Sequence, residues 1–308
     1  MTGSKKCKCR PQSARDAYQD AYRTLCQHGI DDAQATAIRI LEHVLNERYV
    51  QLIAWDIPIE PPQQALIKDY ISRCVNQEPV AYILGEAWFY GHRYHIAPGV
   101  LIPRPETELL VQHGMAVLDQ LESLGHQPVV LECGVGSGVI GIELSRAYPH
   151  IPVYGWDISP QAIRVANRNI QAHGCVNMHI TEGDFFEGVA NHILPDTVTP
   201  VVIANPPYID PNYPNLSPCV QKEPPEALFA SNGGLSVIQA LVALVRDREW
   251  VLLSEMGYNH RAPLGDMMAG LPVSFATDWA GHDRFVGYVG SPQLANIEIF
   301  GKKMNEPV

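Results

Sequence analysis

The chain reads as an α/β protein in which a small N-terminal helical unit and a β-hairpin linker precede a mostly parallel sheet of seven strands alternating with helices. Three observations predict this. An apolar run from Val129 to Leu131 passes through Glu132 and Cys133 into the glycine loop Gly134-Val135-Gly136-Ser137-Gly138, and a helical pattern follows. A second run, Val153 to Trp156, ends in Asp157 and precedes Ser159-Pro160, an N-cap and first-turn pair that opens a helix through Arg168. A third run, Val201 to Ala204, stops at Asn205-Pro206-Pro207-Tyr208. Repeated strand, turn and helix of this kind puts functional loops at the carboxyl ends of parallel strands.

Taken in order, residues 1–12 are expected to be a flexible tail, basic and carrying Cys7 and Cys9. Residues 13–78 show helical spacing in three pieces, Ala14 to His28, Asp31 to Ile53 and Pro62 to Gln77, separated by Gly29 and the Pro58 to Pro62 stretch. Leu41, Val44, Leu45 and Leu52 form one apolar face, which suits a helical bundle that also serves as a substrate-docking module. Residues 79–103 form the linker: Val80 to Ile102 alternates aromatic and polar residues around Gly85, Gly91 and Pro98, as one or two hairpins would. Residues 104–308 form the catalytic domain, opened by a helix from Glu106 to Leu124. After the asparagine turn come a proline- and asparagine-rich loop from Asp210 to Leu216, a helix from Val237 to Arg246 and a strand from Trp250 to Ser254 ending in Glu255. Val273 to Thr277 and Arg284 to Val289 read as an antiparallel closing pair. The polar stretch Asn191 to Pro200 has no evident role.

Composition narrows the function. Hydrophobic residues make up 46% and charged residues 18%, a globular balance, and the 308 residues suffice for two domains. The net charge of −11, from 22 basic and 33 acidic residues, disfavours a protein that grips a DNA duplex by neutralising phosphates. The seven cysteines form no paired framework, the twelve histidines no metal-ligand spacing, and no apolar run serves as a signal peptide or a membrane span. A cytoplasmic monomer without a metal is expected.

The chemistry is read from the turns. Pro206 biases Asn205 away from the helical basin, and Pro207 fixes a second φ, so the asparagine is aimed as its strand ends. The Asn205 side-chain oxygen and the Pro206 carbonyl can each accept one hydrogen of an NH₂ group, while Tyr208 offers a flat wall with a hydroxyl at its rim. In the glycine loop, Val139 stands where a dinucleotide-binding loop has its third glycine, and Glu132 disfavours a phosphate. A carboxylate there suits a cationic amino group instead. Asp157 at a strand end is placed for a pair of ribose hydroxyls. Asp184 and Phe185 fit an adenine edge and face, and fit equally a helix cap and a core ring.

Together Glu132 to Gly138, Asp157, Asp184 and Asn205 to Tyr208 resemble the class I S-adenosylmethionine-dependent methyltransferases, a Rossmann-like fold. Leu101-Ile102-Pro103-Arg104-Pro105-Glu106-Thr107-Glu108, Glu78-Pro79-Val80-Ala81-Tyr82-Ile83-Leu84-Gly85 and Glu223-Pro224 are similar to signatures of the protein-glutamine methyltransferases that act on peptide chain release factors. The resemblance implies transfer of methyl from S-adenosylmethionine to the N5 amide nitrogen of a glutamine, in the Gly-Gly-Gln motif of a release factor. It further implies catalytic Asn205, Pro206 and Tyr208, a cofactor site from Glu132 through Gly138 with Asp157, Asp184, Phe185 and Asn205, and substrate contacts from Pro207, Arg104, Glu106 and Glu223. Lys222 stands where an aromatic residue is common in that family. Rival readings are a ribosomal-protein glutamine methyltransferase, a nucleic-acid N-methyltransferase acting on a flipped base, a nicotinamide-dependent dehydrogenase and a non-catalytic binder.

Overall fold

A computed structural model describes residues 13–303. The Cys7 and Cys9 tail lies outside these residues. The chain divides into two compact units: one runs to Gly85 and takes in Ser217–Lys222, and the other comprises Glu86–Leu216 and the chain from Glu223 onward.

The first unit is helical. Helix α1 (Ala14–Gln27) opens with a reciprocal cap in which the Ser13 hydroxyl accepts the Asp16 N–H and the Asp16 carboxylate accepts the Ser13 N–H. Helices α2 (Ala33–Leu45), α3 (Tyr49–Trp55), α4 (Pro61–Val75) and α5 (Val80–Leu84) follow. Ala17, Ala21 and Leu25 of α1 pack with Ile40 and Leu41 of α2, Leu52 of α3, and Ile67 and Ile71 of α4. Two expectations need correction here. Asp31 to Ile53 is two helices, not one, because Asn46 takes a left-handed φ of 53° and Arg48 is extended. Asn tolerates that basin and so ends a helix whose apolar period continues beyond it. Val80 to Leu84 is a helical turn closed by Gly85 rather than part of a hairpin.

The second unit opens with a hairpin, β1 (Glu86–Phe89) and β2 (His92–His95), which turns through Tyr90 and Gly91, both with positive φ, as a tight two-residue turn requires. Helix α6 (Thr107–Ser123) leads to β3 (Gln127–Cys133), α7 (Val139–Ala147), β4 (Val153–Asp157), α8 (Pro160–His173), β5 (Met178–Glu182), α9 (Phe185–Asn191) and β6 (Val198–Ala204). After the short α10 (Pro225–Leu228) come α11 (Ser236–Val245), β7 (Val251–Glu255), α12 (Arg261–Met267), β8 (Val273–Thr277) and β9 (Asp283–Val289). The seven strands order as β5-β4-β3-β6-β7-β9-β8, with β9 antiparallel to both its neighbours and the rest parallel. The expected fold class is therefore met. Strand β6 begins at Val198, three residues before the apolar run, so the polar stretch Asn191 to Pro200 is partly sheet. Pro200 is tolerated there because the ladder to β7 begins only at Val201.

Alternation along the strands builds two cores. Val130, Val201, Ile203, Val251 and Leu253 pack with α6 and α7, whereas Val129, Leu131, Val202, Ala204 and Leu252 pack with α11 and α12. One glycine in a strand is explained by what faces it. A Cβ built on Gly155 in β4 would lie 2.5 Å from Val135 Cγ2 of the glycine loop. Alanine ordinarily strengthens a strand relative to glycine. Here Gly155→Ala is expected to destabilise by about 1–3 kcal/mol through overpacking, read as a lower urea midpoint. A raised midpoint would contradict that packing.

Candidate active site

Strand register aligns the site. Trp156 of β4 pairs Cys133 of β3, which pairs Ala204 of β6, which pairs Ser254 of β7. The next residues, Asp157, Gly134, Asn205 and Glu255, therefore form one row across four neighbouring strand ends.

The glycine loop leaves β3 through Gly134, Gly136 and Gly138 at φ of 74°, 57° and 85°, a path that side-chain-bearing residues rarely follow. A Cβ on Gly134 or Gly136 would project into open space. The Gly134 and Val135 N–H groups donate to the Trp156 carbonyl, at 3.0 and 3.3 Å. The Asp157 carboxylate accepts the Gly136 N–H at 2.8 Å and the Ser159 N–H at 2.9 Å, so it braces loop and strand together. Burial raises its pKa despite those donors. Asn169, 1% exposed, completes the brace by donating to the Ser137 and His95 carbonyls and accepting the His95 N–H. No motif marked it.

A cleft opens at this end of the sheet, walled by Gly134, Gly136, Asp157, Asp184, Phe185, Asn205 and Pro207 among others. Leu101, Ile158 and Phe186 add apolar surface. Asp184 also caps α9 by accepting the Glu187 N–H, and Phe185 also packs in the core with Trp156. Both residues thus line the cleft and also serve as cap and core ring.

Other residues expected at the cofactor site lie elsewhere. Val135 and Ser137 are buried behind the loop, and Gly138 packs on Ile142 and Ala166. Glu132 is a correction: it is fully buried, off the cleft wall, and its carboxyl sits beside Gly141 of α7. Strand parity explains this, since Glu132 shares the face of Val130, which packs toward α6 and α7. Neither Glu132 oxygen has a hydrogen-bond partner. Burial pushes its pKa up to about 8, and the Gly141 N–H draws it back without reaching hydrogen-bonding geometry.

The asparagine turn is held from below. Asn205 Nδ2 donates to Thr107 Oγ1 at 3.1 Å, Thr107 Oγ1 donates to Glu255 Oε2 at 2.7 Å, and the Tyr208 hydroxyl donates to Glu255 Oε1 at 3.0 Å. Glu255 is 1% exposed; burial raises its pKa, opposed by the two hydroxyls and the charge of Arg284. Burial and the neighbouring Glu255 likewise push the Tyr208 hydroxyl far up. The rim of Tyr208 is thus turned to a buried acid, and Pro206 is buried.

Arg104 and Glu223 meet each other. Arg104 Nη2 lies 2.6 Å from Glu223 Oε1, and the Ile102 N–H donates to Oε2 at 3.0 Å. Glu106 precedes α6 with no side-chain cap bond, while its neighbour Glu108 accepts the Tyr90 N–H. Among the described residues no group of three or more His, Cys, Asp or Glu is placed to hold a metal, and no helix is long and apolar enough to cross a membrane.

Residues 16–85 match the PrmC N-terminal domain family and residues 107–235 the methyltransferase small domain family. The chain is 32% identical over 277 residues to the release factor glutamine methyltransferase of Vibrio cholerae, covering 87% of this chain and 93% of that one. It is 32% identical over 227 residues to the enzyme of the same name from Staphylococcus aureus, covering 71% and 78%. A 4-amino-L-phenylalanine/4-methylamino-L-phenylalanine methyltransferase of Streptomyces pristinaespiralis is 36% identical over 174 residues, 56% of this chain and 58% of its own. Among solved structures, the hMettl16 catalytic domain in complex with the MAT2A 3'UTR hairpin 1 aligns at a TM-score of 0.51 and 14% identity, covering 95% of this chain and 96% of that one, which shows likeness of fold.

Two expectations follow from the buried acids. Below pH about 4.5 Glu132 is protonated folded and unfolded, and it adds no pH dependence; between there and about pH 8 only the unfolded chain releases the proton, so stability falls as pH rises. Glu132→Gln should therefore gain in unfolding midpoint relative to the parent across that window, and a pH-independent difference would count against it. Arg104→Ala strands the buried Glu223 carboxylate and should cost about 3 kcal/mol in chemical denaturation. A loss below about 0.5 kcal/mol would mark the pair as a surface bridge.

Proposed function

Because the chain belongs to the release factor glutamine methyltransferase family, we propose that it transfers a methyl group from S-adenosylmethionine to the side-chain amide nitrogen of a glutamine in a peptide chain release factor. The observation that carries this reading is the shared cleft: Asn205 faces the same space as Gly134, Gly136 and Asp157.

The cleft residues suit that cofactor. The loop leaves open space beside Gly134 and Gly136 for close backbone approach, and Asp157 keeps lone pairs for hydroxyls beyond the two N–H groups it accepts. Leu101, Ile158 and Phe185 offer apolar walls for a flat base. Glu132 has no part in this assignment. The cofactor supplies an electrophilic methyl on a sulfonium.

An amide nitrogen is a weak nucleophile whose lone pair is delocalised. No buried base is required. As the N–C bond forms and the S–C bond breaks, positive charge develops on nitrogen, and the Asn205 oxygen with the Pro206 carbonyl can hold its two hydrogens and stabilise that charge. The excess proton then leaves to solvent. Alignment contributes roughly 7 to 11 kcal/mol when the geometry is good.

The helical unit serves as the docking module for the protein substrate. The similarity to the release factor enzymes extends through that unit, whereas that to the 4-aminophenylalanine enzyme covers 56% of the chain. Arg104 and Glu223 act on substrate indirectly, by anchoring the segments on which they sit.

Purified protein incubated with labelled S-adenosylmethionine and a release factor should place one methyl on a glutamine, located by mass spectrometry. Label on nucleic acid or on a free aromatic amine, with none on the release factor, would overturn the reading. Asn205→Ala should bind S-adenosylmethionine with little change in calorimetry while turnover falls at least about a hundredfold. Unchanged turnover would remove Asn205 from the mechanism.

A further inference from the structure

The two ends of an asparagine carboxamide are almost the same shape, so packing alone does not decide which end faces a ligand. For an amino or amide group the decision matters: the oxygen accepts its hydrogens, and the NH₂ would repel them. Hydrogen bonds settle the choice here. An ionised Glu255 has no hydrogen to give, yet it lies 2.7 Å from Thr107 Oγ1. Thr107 must therefore donate to it, which uses the only hydrogen of that hydroxyl.

What remains on Thr107 is an acceptor. Asn205 satisfies it with its Nδ2 at 3.1 Å, and a flipped Asn205 would set oxygen against oxygen. Tyr208 closes the arrangement by donating to the other Glu255 oxygen, so each carboxylate oxygen already holds one hydroxyl. Burial raises the Glu255 pKa, and the two hydroxyls and the charge of Arg284, which also pairs with Asp278 at 3.3 Å, pull it back toward the ionised form, with Glu106 opposing them.

We propose that Thr107 and Glu255 are positioning residues that set the polarity of Asn205: Glu255 orients the Thr107 hydroxyl, and Thr107 holds the amino end of Asn205 so that its oxygen is presented to the incoming amide nitrogen. This rests on the methyl-transfer reading above for its consequence, and on the hydrogen-bond chain alone for its geometry. Thr107 stands at the start of α6, Glu255 at the end of β7 and Asn205 at the end of β6, so three separate elements meet to fix one rotamer. Neither Thr107 nor Glu255 touches the reacting atoms. Their effect reaches the reaction through Asn205 only.

The test uses the full-length protein with Thr107→Val, Thr107→Ser and Glu255→Gln. Thr107→Val keeps the shape and removes the hydroxyl; kcat on the release factor should fall on the order of tenfold or more, with the dissociation constant for S-adenosylmethionine unchanged. Thr107→Ser should restore most of the lost turnover, a recovery that a purely packing role would not give. Glu255→Gln can donate as well as accept, so it no longer dictates the direction of the chain; it should lower kcat, and added to Thr107→Val it should cost little more. Equal loss in Thr107→Ser and Thr107→Val, or parental kcat in Thr107→Val, overturns the proposal.

A second readout needs no turnover. The Asn205 side-chain amide protons, assigned in nitrogen-labelled protein by their loss in Asn205→Ala, should exchange slowly in the parent and faster in Thr107→Val. Equal exchange in the two overturns the proposal as well. If the parent transfers no methyl to a release factor, the functional reading fails, and the exchange rates still decide whether Thr107 holds Asn205.

Discussion

The in-register pairing of β4, β3, β6 and β7 is the constraint on which the rest depends. Backbone hydrogen bonds hold Trp156, Cys133, Ala204 and Ser254 at one level, and so bring the residue after each to a common edge. Residues scattered from position 134 to position 255 are thereby presented together. Chain order has no say in their proximity; the ladder does. Because side chains alternate strictly along a strand, a slip of one residue in any of these pairings would turn an edge residue to the opposite face. Two buried cores, one on each face, oppose such a slip by the apolar surface it would expose.

Two fully buried acids in this sheet show how differently the same group can be used. Glu255 is enclosed but satisfied, with a hydroxyl on each oxygen and the Arg284 charge nearby. Burial is thereby partly compensated, and the carboxylate acts as a fixed acceptor that organises its neighbours. Glu132 is enclosed without a partner, and the protein answers by holding the proton. One acid imposes direction on hydrogen bonds around it, and the other is close to a neutral, polar filler beneath α7. Sequence position makes them look alike, since each lies near the end of a largely apolar strand.

Much of the fold was legible from periodicity and punctuation. Apolar runs ending in Gly134, Asp157 and Asn205 mark parallel strands, and Ser159-Pro160 marks a helix start, because each signal is local and acts through backbone conformation. The break at Asn46 escaped because the apolar spacing continues across it while a single left-handed residue ends the helix. At the site, Asn205, Asp157 and the glycines could be named from their motifs. Thr107 and Asn169 could not be assigned a task, since their roles exist only once distant elements meet. For Glu132 strand parity outweighs charge: the face of Val130 belongs to the core, and so does the face of Glu132. Arg104 and Glu223, 119 residues apart, gave no hint in spacing that they would pair.

The row at the strand ends also separates two properties that are often assumed to travel together. Since the ladder alone sets the level of Asp157, Gly134, Asn205 and Glu255, the segments that return the chain to the bottom of the sheet are under little geometric pressure. The connection from His192 to Thr197, between α9 and β6, is such a segment, in which His192 packs on Tyr154 and Trp156 and Leu194 on the core. Apart from those two side chains, its length and make-up are free to drift over evolutionary time, while the opposite end of the sheet stays where the strands put it.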